Sequence, residues 1–158
     1  MRSRFLINIL LTLVWVALTG SYDRITFVFG FILSFVVIWI IGSDDGSRKY
    51  VAIIPRVISF FFFFIYQLVK ANIQVAYDVV TPKFYMKPGI VQLPLDAKSD
   101  LEITLLANFI SLTPGTLSLD LSADRKVLYV HAMYVDDRDE FIREIKEGFE
   151  RKLLQILR

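Results

Sequence analysis

The chain is 158 residues long, 55% of them hydrophobic and 15% aromatic, an apolar share above that of an ordinary soluble domain. Its formal net charge is only +2, and a mild surplus without clustered Lys and Arg argues against a nucleic-acid surface. The absence of cysteine excludes disulfides, a thiolate nucleophile and Cys-based metal sites.

The apolar excess is concentrated at the start. No charge occurs from 5 to 19 or from 25 to 41, whereas charges recur every few positions from Lys83 onward. This predicts a membrane region followed by a small polar domain. The opening "MRSR" and the apolar run behind it resemble a signal peptide. The immediate return of apolar sequence after "TGSYDR", without a small-x-small cleavage pattern, predicts instead a retained membrane segment.

Residues 1–42 read as a short transmembrane helical hairpin. Its two apolar runs would reach about 22 and 26 Å as helices, against a bilayer core of roughly 30 Å, so mismatch is expected. Asn8, Thr12, Trp15 and Thr19 fall on one face of the first helix; Thr26, Gly30 and Ser34, spaced by four, form a small-residue stripe on the second. Such stripes let helices approach closely in lipid. They can pack on each other within the hairpin or dock on another polypeptide, and the sequence leaves both open.

Residues 43–50 read as a polar link and 51–80 as a third, amphipathic membrane helix. Its apolar core between Arg56 and Lys70 is too short for an independent span. Arg56, Ser59, Gln67, Lys70, Gln74 and Asp78 mark a polar stripe on it, while Pro55 suits its first turn and Pro82 its end. This helix can span with the stripe against protein or lie along the interface. Basic residues deepen the ambiguity. Arg2, Arg4, Arg48 and Lys49 favour the N-terminus and the link inside, and Lys70, Lys83 and Lys87 favour the C-terminal domain inside as well. Three full spans cannot satisfy both, so one segment should fail to cross, either the third helix lying at the interface or the short hairpin being incompletely inserted, and the sequence leaves both open.

Residues 81–158 read as a small α+β domain. "GIVQLPL" is a short strand, Ser99-Asp100 a helix N-cap ahead of "LEITLLANFISL", and Thr113-Pro114-Gly115-Thr116 a turn in which Pro sets φ and Gly takes positive φ. "TLSLDL" and "VLYVHAM" form a hairpin with Leu117, Leu119 and Leu121 together on one face, expected to be buried. A long final helix follows from the acidic run after Asp136, with Phe141, Ile145, Phe149 and Leu153 as its buried stripe. The order is β-α-β-β-α, a ferredoxin-like split unit lacking its last strand or supplying that edge through a partner.

Little chemistry is available. His131, the only histidine, lies mid-strand without a second ligand nearby, and neither a phosphate loop nor a nucleophile motif appears. No cofactor, metal or catalytic residue is expected. The candidate residues are the structural turn at 113–116 and the helix-packing positions Asn8, Thr12, Thr26, Gly30, Ser34, Gln67 and Gln74. Charged residues are missing from the middle of every apolar run, whereas an ion path through a bilayer normally needs ionisable groups at depth.

The segments "YQLVKANIQVAYDVV", "LLANFISLTPGTLSLDL" and "LYVHAM", with Leu106, Ala107, Asn108, the 113–116 turn and His131 as the specific positions, resemble the E subunit of the multisubunit Na+/H+ antiporters known as Mrp, Mnh or Pha. The resemblance implies a small non-catalytic component of a hetero-oligomeric complex in the bacterial cell membrane, needed for assembly or full antiport. Other integral subunits, related to complex I, would carry the ion paths, and the C-terminal domain would be cytoplasmic. A membrane-anchored module recruiting a cytoplasmic partner and a membrane-tethered enzyme working through His131 are the alternatives.

Overall fold

The structure, a computed structural model, describes residues 2–42, 45–82 and 86–158. Lys83, one of the basic topology markers, and residues 43–44 of the expected link lie outside the described residues. Three helices come first: α1 (Arg2–Thr19), α2 (Arg24–Ile41) and α3 (Asp45–Val80). The polar half follows with β1 (Gly89–Pro94), α4 (Asp100–Leu112), β2 (Thr116–Leu121), β3 (Val127–Ala132) and α5 (Arg138–Glu144). α5 passes through a π-helical stretch, Ile145–Glu150, into α6 (Arg151–Leu157). The chain divides into two compact units, one ending at Pro55 and one spanning Arg56–Arg158.

In the first unit, Gly20 at φ +66° ends α1 with its N–H on the Val16 carbonyl. Asp23 caps α2 by accepting the Thr26 N–H at 2.8 Å. The two helices touch through small and polar residues. A Cβ on Gly30 would stand 2.7 Å from Trp15 Cδ1, so the absent side chain is what admits the indole. Apolar side chains such as Leu6, Leu10, Ile32 and Ile40 remain exposed around the pair, the distribution expected of a hairpin surrounded by lipid.

α3 starts six residues before the expected Val51 and holds Pro55 in its interior rather than its first turn. The reason lies in packing: Ser47 and Tyr50, one turn apart in the expected link, are both buried. Tyr50 accepts a hydrogen bond from Asn8 Nδ2 at 2.8 Å and meets Phe35 at a tilt, with ring centroids 5.6 Å apart. Local polarity suggests a link; two buried residues at helical spacing, with Tyr50 held by α1 and α2, belong to a helix.

In the second unit, β3 is central in the order β1-β3-β2 and antiparallel to both neighbours, giving a three-stranded antiparallel sheet with helices at its side. Val91, Leu93, Leu128, Val130 and Ala132 face the core, where they meet Ile103, Leu106 and Ile110 of α4 and Ile145, Phe149 and Leu153 of the final helix. Residues 56–80 of α3, expected to belong with the membrane half, are part of this unit. Phe60 is in the core cluster, and its ring meets Phe109 edge-on at 4.8 Å.

β2 overturns an expectation. Leu117 and Leu119 are 51% and 48% exposed, while Thr116 and Ser118 turn toward α4. A register shift between Ser118 and Asp120 then returns Leu121 to the core side. The cause lies on α4, where the carbonyls of Ala107 and Ile110 accept side-chain hydroxyls from β2. Thr116 Oγ1 donates to the Ile110 carbonyl at 2.5 Å and Ser118 Oγ to that of Ala107 at 3.0 Å. Alternation requires the leucines to share a face, and these donor positions decide which face it is.

Candidate functional site

The Thr-Pro-Gly-Thr turn lies at the mouth of a cleft of about 120 Å³ within the second unit. Gln67, Lys70 and Gln74 of α3 form one wall; Tyr134 and Glu144 help to close the others. The turn itself is locked from several directions. Thr116 N–H and Oγ1 both donate to the Thr113 carbonyl, at 3.2 and 2.9 Å, and Thr113 Oγ1 donates to the Phe109 carbonyl at 3.1 Å. Gly115 stands at φ +86°, and its carbonyl accepts the Met133 N–H at 2.8 Å. A Cβ there would meet Tyr134 and Met133 only at ordinary contact distances. Positive φ, rather than lack of space, is what calls for glycine.

Three of the cleft's polar groups have partners within the unit. Tyr134 donates to Asp78 Oδ2 at 2.5 Å, and burial, with the Asp78 carboxylate behind it, pushes the phenol up to about 12. It therefore stays protonated as a donor at neutral pH. Lys70 Nζ is 3.9 Å from Glu144 Oε1, with both side chains more than half exposed. The volume is well below that of a typical small-molecule pocket, roughly 300–1,000 Å³, so the cleft acts as the seam between α3 and the α/β domain. Arg56 adds to that seam through Nη1, 2.9 Å from the Gln155 carbonyl. Five of the six residues of the predicted polar stripe thus face the chain's own domain, and only Ser59 stands clear, exposed.

The other predicted positions lie apart from this seam. Asn8, Thr12, Gly30 and Ser34 are buried in the first unit and Thr26 is half-buried. Thr12 Oγ1 donates to the Asn8 carbonyl at 2.8 Å, while Asn8 Oδ1 and the Trp15 indole N–H are buried without a hydrogen-bond partner. His131 is half-buried on the outer face of the sheet, opposite Ile90 on β1 and Leu117 on β2. Among the described residues no group of three His, Asp or Glu could hold a metal ion.

Sequence reasoning missed two buried carboxylates that organise the domain. Glu150 is 1% exposed; its Oε1 accepts the Asp96 and Ala97 N–H groups at 2.6 and 2.9 Å, and its Oε2 accepts from Lys146 Nζ at 3.0 Å. Glu102 accepts the Lys98 and Ser99 N–H groups, and Arg158 Nε and Nη2 at 3.0 and 3.1 Å. The Arg158 guanidinium, with the Lys98 amide next, holds Glu102 at about 2, well below its ordinary 4.5. One signal was present in the sequence: Ser99-x-x-Glu102 is a capping box, and both of its bonds are made. For Glu150 the sequence carries no comparable mark.

Comparison with known proteins bears on this fold directly. The family model described as Na+/H+ ion antiporter subunit, MNHE, matches residues 8–156, nearly the whole chain. The chain belongs to that family. The E subunit of the Na(+)/H(+) antiporter of Alkalihalophilus pseudofirmus is 38% identical over 160 residues, covering 99% of each chain. Its counterpart in Bacillus subtilis is 34% identical over 158 residues, covering all of both. Among solved structures, a chain of the Mrp complex from Dietzia sp. DQ12-45-1b superposes with a TM-score of 0.51 at 31% identity, over 65% of this chain and 96% of that one. A chain of the membrane-bound sulfane sulfur reductase, an archaeal respiratory membrane complex, superposes with a TM-score of 0.56 at 28% identity over 95% and 96%. Members of this family are thus membrane components of a Na+/H+ exchange complex, and the apolar helices α2 and Tyr50–Val80 agree with that setting.

Proposed function

We propose that this chain is a non-catalytic accessory subunit of a multisubunit Na+/H+ antiporter in the bacterial cell membrane. Antiport or assembly depends on it, while other integral subunits carry the ion path. The observation that carries this reading is the chemistry inside the hairpin: its buried polar side chains, Asn8, Thr12 and Ser34, are neutral, and no charge occurs from 5 to 19 or from 25 to 41. A route for protons or sodium through hydrocarbon is normally lined by ionisable groups at depth. The relatives' names and the two complexes support a hetero-oligomeric setting. No cofactor, metal or enzymatic step belongs to this reading.

The protein is multi-pass in this account, with its C-terminal domain cytoplasmic, as the basic residues Lys70 and Lys87 favour. The parallel β1 and β2 flanking an antiparallel β3 support a ferredoxin-like split unit without its fourth strand. Deleting the gene should abolish Na+-dependent antiport in everted membrane vesicles, and supplying it in trans should restore the activity. Vesicles that keep both antiport and an intact complex after deletion would refute the proposal. The exposed Leu117 and Leu119 beside His131 favour a second reading, a membrane-anchored module that recruits a soluble partner. Recovery of soluble proteins alone, without integral subunits, would select it.

A further inference from the structure

α3 has two faces of opposite character along residues 57–80. One is occupied by the α/β domain for its whole length. Arg56 reaches the Gln155 carbonyl, Phe60 and Phe64 pack on Phe109, Phe63 packs on Phe149, Lys70 approaches Glu144, and Asp78 holds Tyr134. The contact is tight, since a Cβ on Gly148 would lie 2.7 Å from the Phe63 ring. The other face carries Ile58, Phe61, Phe62, Val69, Ile73 and Val80, each 50% exposed or more. Asn72, the one amide on that side, is already bonded to the Leu68 carbonyl at 2.8 Å. Tyr66 and Tyr77 stand exposed along one margin, beside Lys70.

We infer that residues 57–80 of α3 lie along the polar–apolar boundary of the bilayer, with the Phe62–Val69–Ile73–Val80 stripe in lipid and the α/β domain against the opposite face in water. Only α1 and α2 then cross the membrane. A perpendicular crossing by α3 would carry its partner surface with it, taking Arg143, Glu144, Lys146, Glu147, Arg151 and Lys152 into hydrocarbon. An interfacial course keeps those charges wet and still buries the stripe, and tyrosines beside a lysine at the margin are the side chains that settle at headgroup level. Lipid rather than protein is the occupant because α3 begins within the membrane unit, at Asp45, and its stripe is a continuous run of exposed aliphatic and aromatic side chains over several turns. Two crossings also return the chain to the side of Arg2 and Arg4, which removes the conflict in the basic-residue count.

This inference rests on the membrane-subunit reading. The test uses the cysteine-free chain, with single cysteines at Phe62, Val69, Ile73 and Val80, spin-labelled in the whole complex reconstituted into phosphatidylethanolamine–phosphatidylglycerol vesicles. Relaxation by oxygen against a nickel chelate gives the depth of each label. All four should lie within the outer ~5–10 Å of one leaflet. A depth that changes by about 27 Å from 62 to 80, the rise of a helix crossing upright, would overturn the inference. Labels reached by neither reagent, meaning cover by protein, or by the chelate alone, meaning water, would also overturn it. Antiport is assayed on the same samples: a shallow, level profile without antiport would sink the subunit reading and leave the interface standing.

Discussion

Glu102 ties three parts of the domain together: the segment after β1, the start of α4 and the last residue, Arg158. Its carboxyl is held at about 2 instead of 4.5, so the fold prefers the ionised form. Stability from this group is complete above pH 4.5 and is lost as pH falls from there toward 2, because only the unfolded chain takes up the proton in that window. Thermal unfolding of the detergent-solubilised protein, followed by circular dichroism, should show the midpoint falling across that range, and Glu102→Gln should lower it at pH 7 and flatten the acid dependence. Gly115 is the other residue whose chemistry is conformational. At φ +86°, a valine costs about 1 kcal/mol or more, whereas asparagine tolerates the region. Gly115→Val should reduce the amount of protein in the membrane fraction and Gly115→Asn should largely restore it, as measured by immunoblot.

At the scale of elements, the α1–α2 contact depends on a missing side chain. Gly30→Leu would drive into Trp15, whose indole carbon lies 2.7 Å from where the Cβ would be; overpacking of this kind costs about 1–3 kcal/mol. With Trp39 replaced by phenylalanine, the shift of Trp15 emission reports the displacement directly, and an unchanged spectrum would mean the helices meet elsewhere. The strands, helices and turn of the domain were legible because each carries a local mark: Ser99 as a cap, Pro114-Gly115 as a turn, alternation in β2 and β3. What was not legible depends on partners distant in sequence. Leu117 faces out because Ser118 and Thr116 are needed by carbonyls of α4. The start of α3 is helical because Tyr50 meets Asn8, 42 positions away. In the last helix, the π-helical stretch surrounds Gly148, where Phe63 enters, and Glu150 is aimed at the backbone of 96–97. No periodicity along that helix announces either feature.

For the molecule as a whole, the seam between α3 and the α/β domain accounts for the polar stripe that sequence alone could assign to any protein surface. Gln67 and Gln74 face the 113–116 turn across the cleft, so this turn lies where the domain meets α3. Among the described residues, the buried polar side chains of the hairpin, Asn8, Thr12 and Ser34, are neutral, and the proposed division of labour with neighbouring subunits rests on that. The decisive measurement is Na+-driven proton movement in liposomes, compared between the complex captured in mild detergent through a tag on this chain and the chain purified alone. Exchange by the complex and none by the single chain is the predicted result; exchange by the chain on its own would contradict the account.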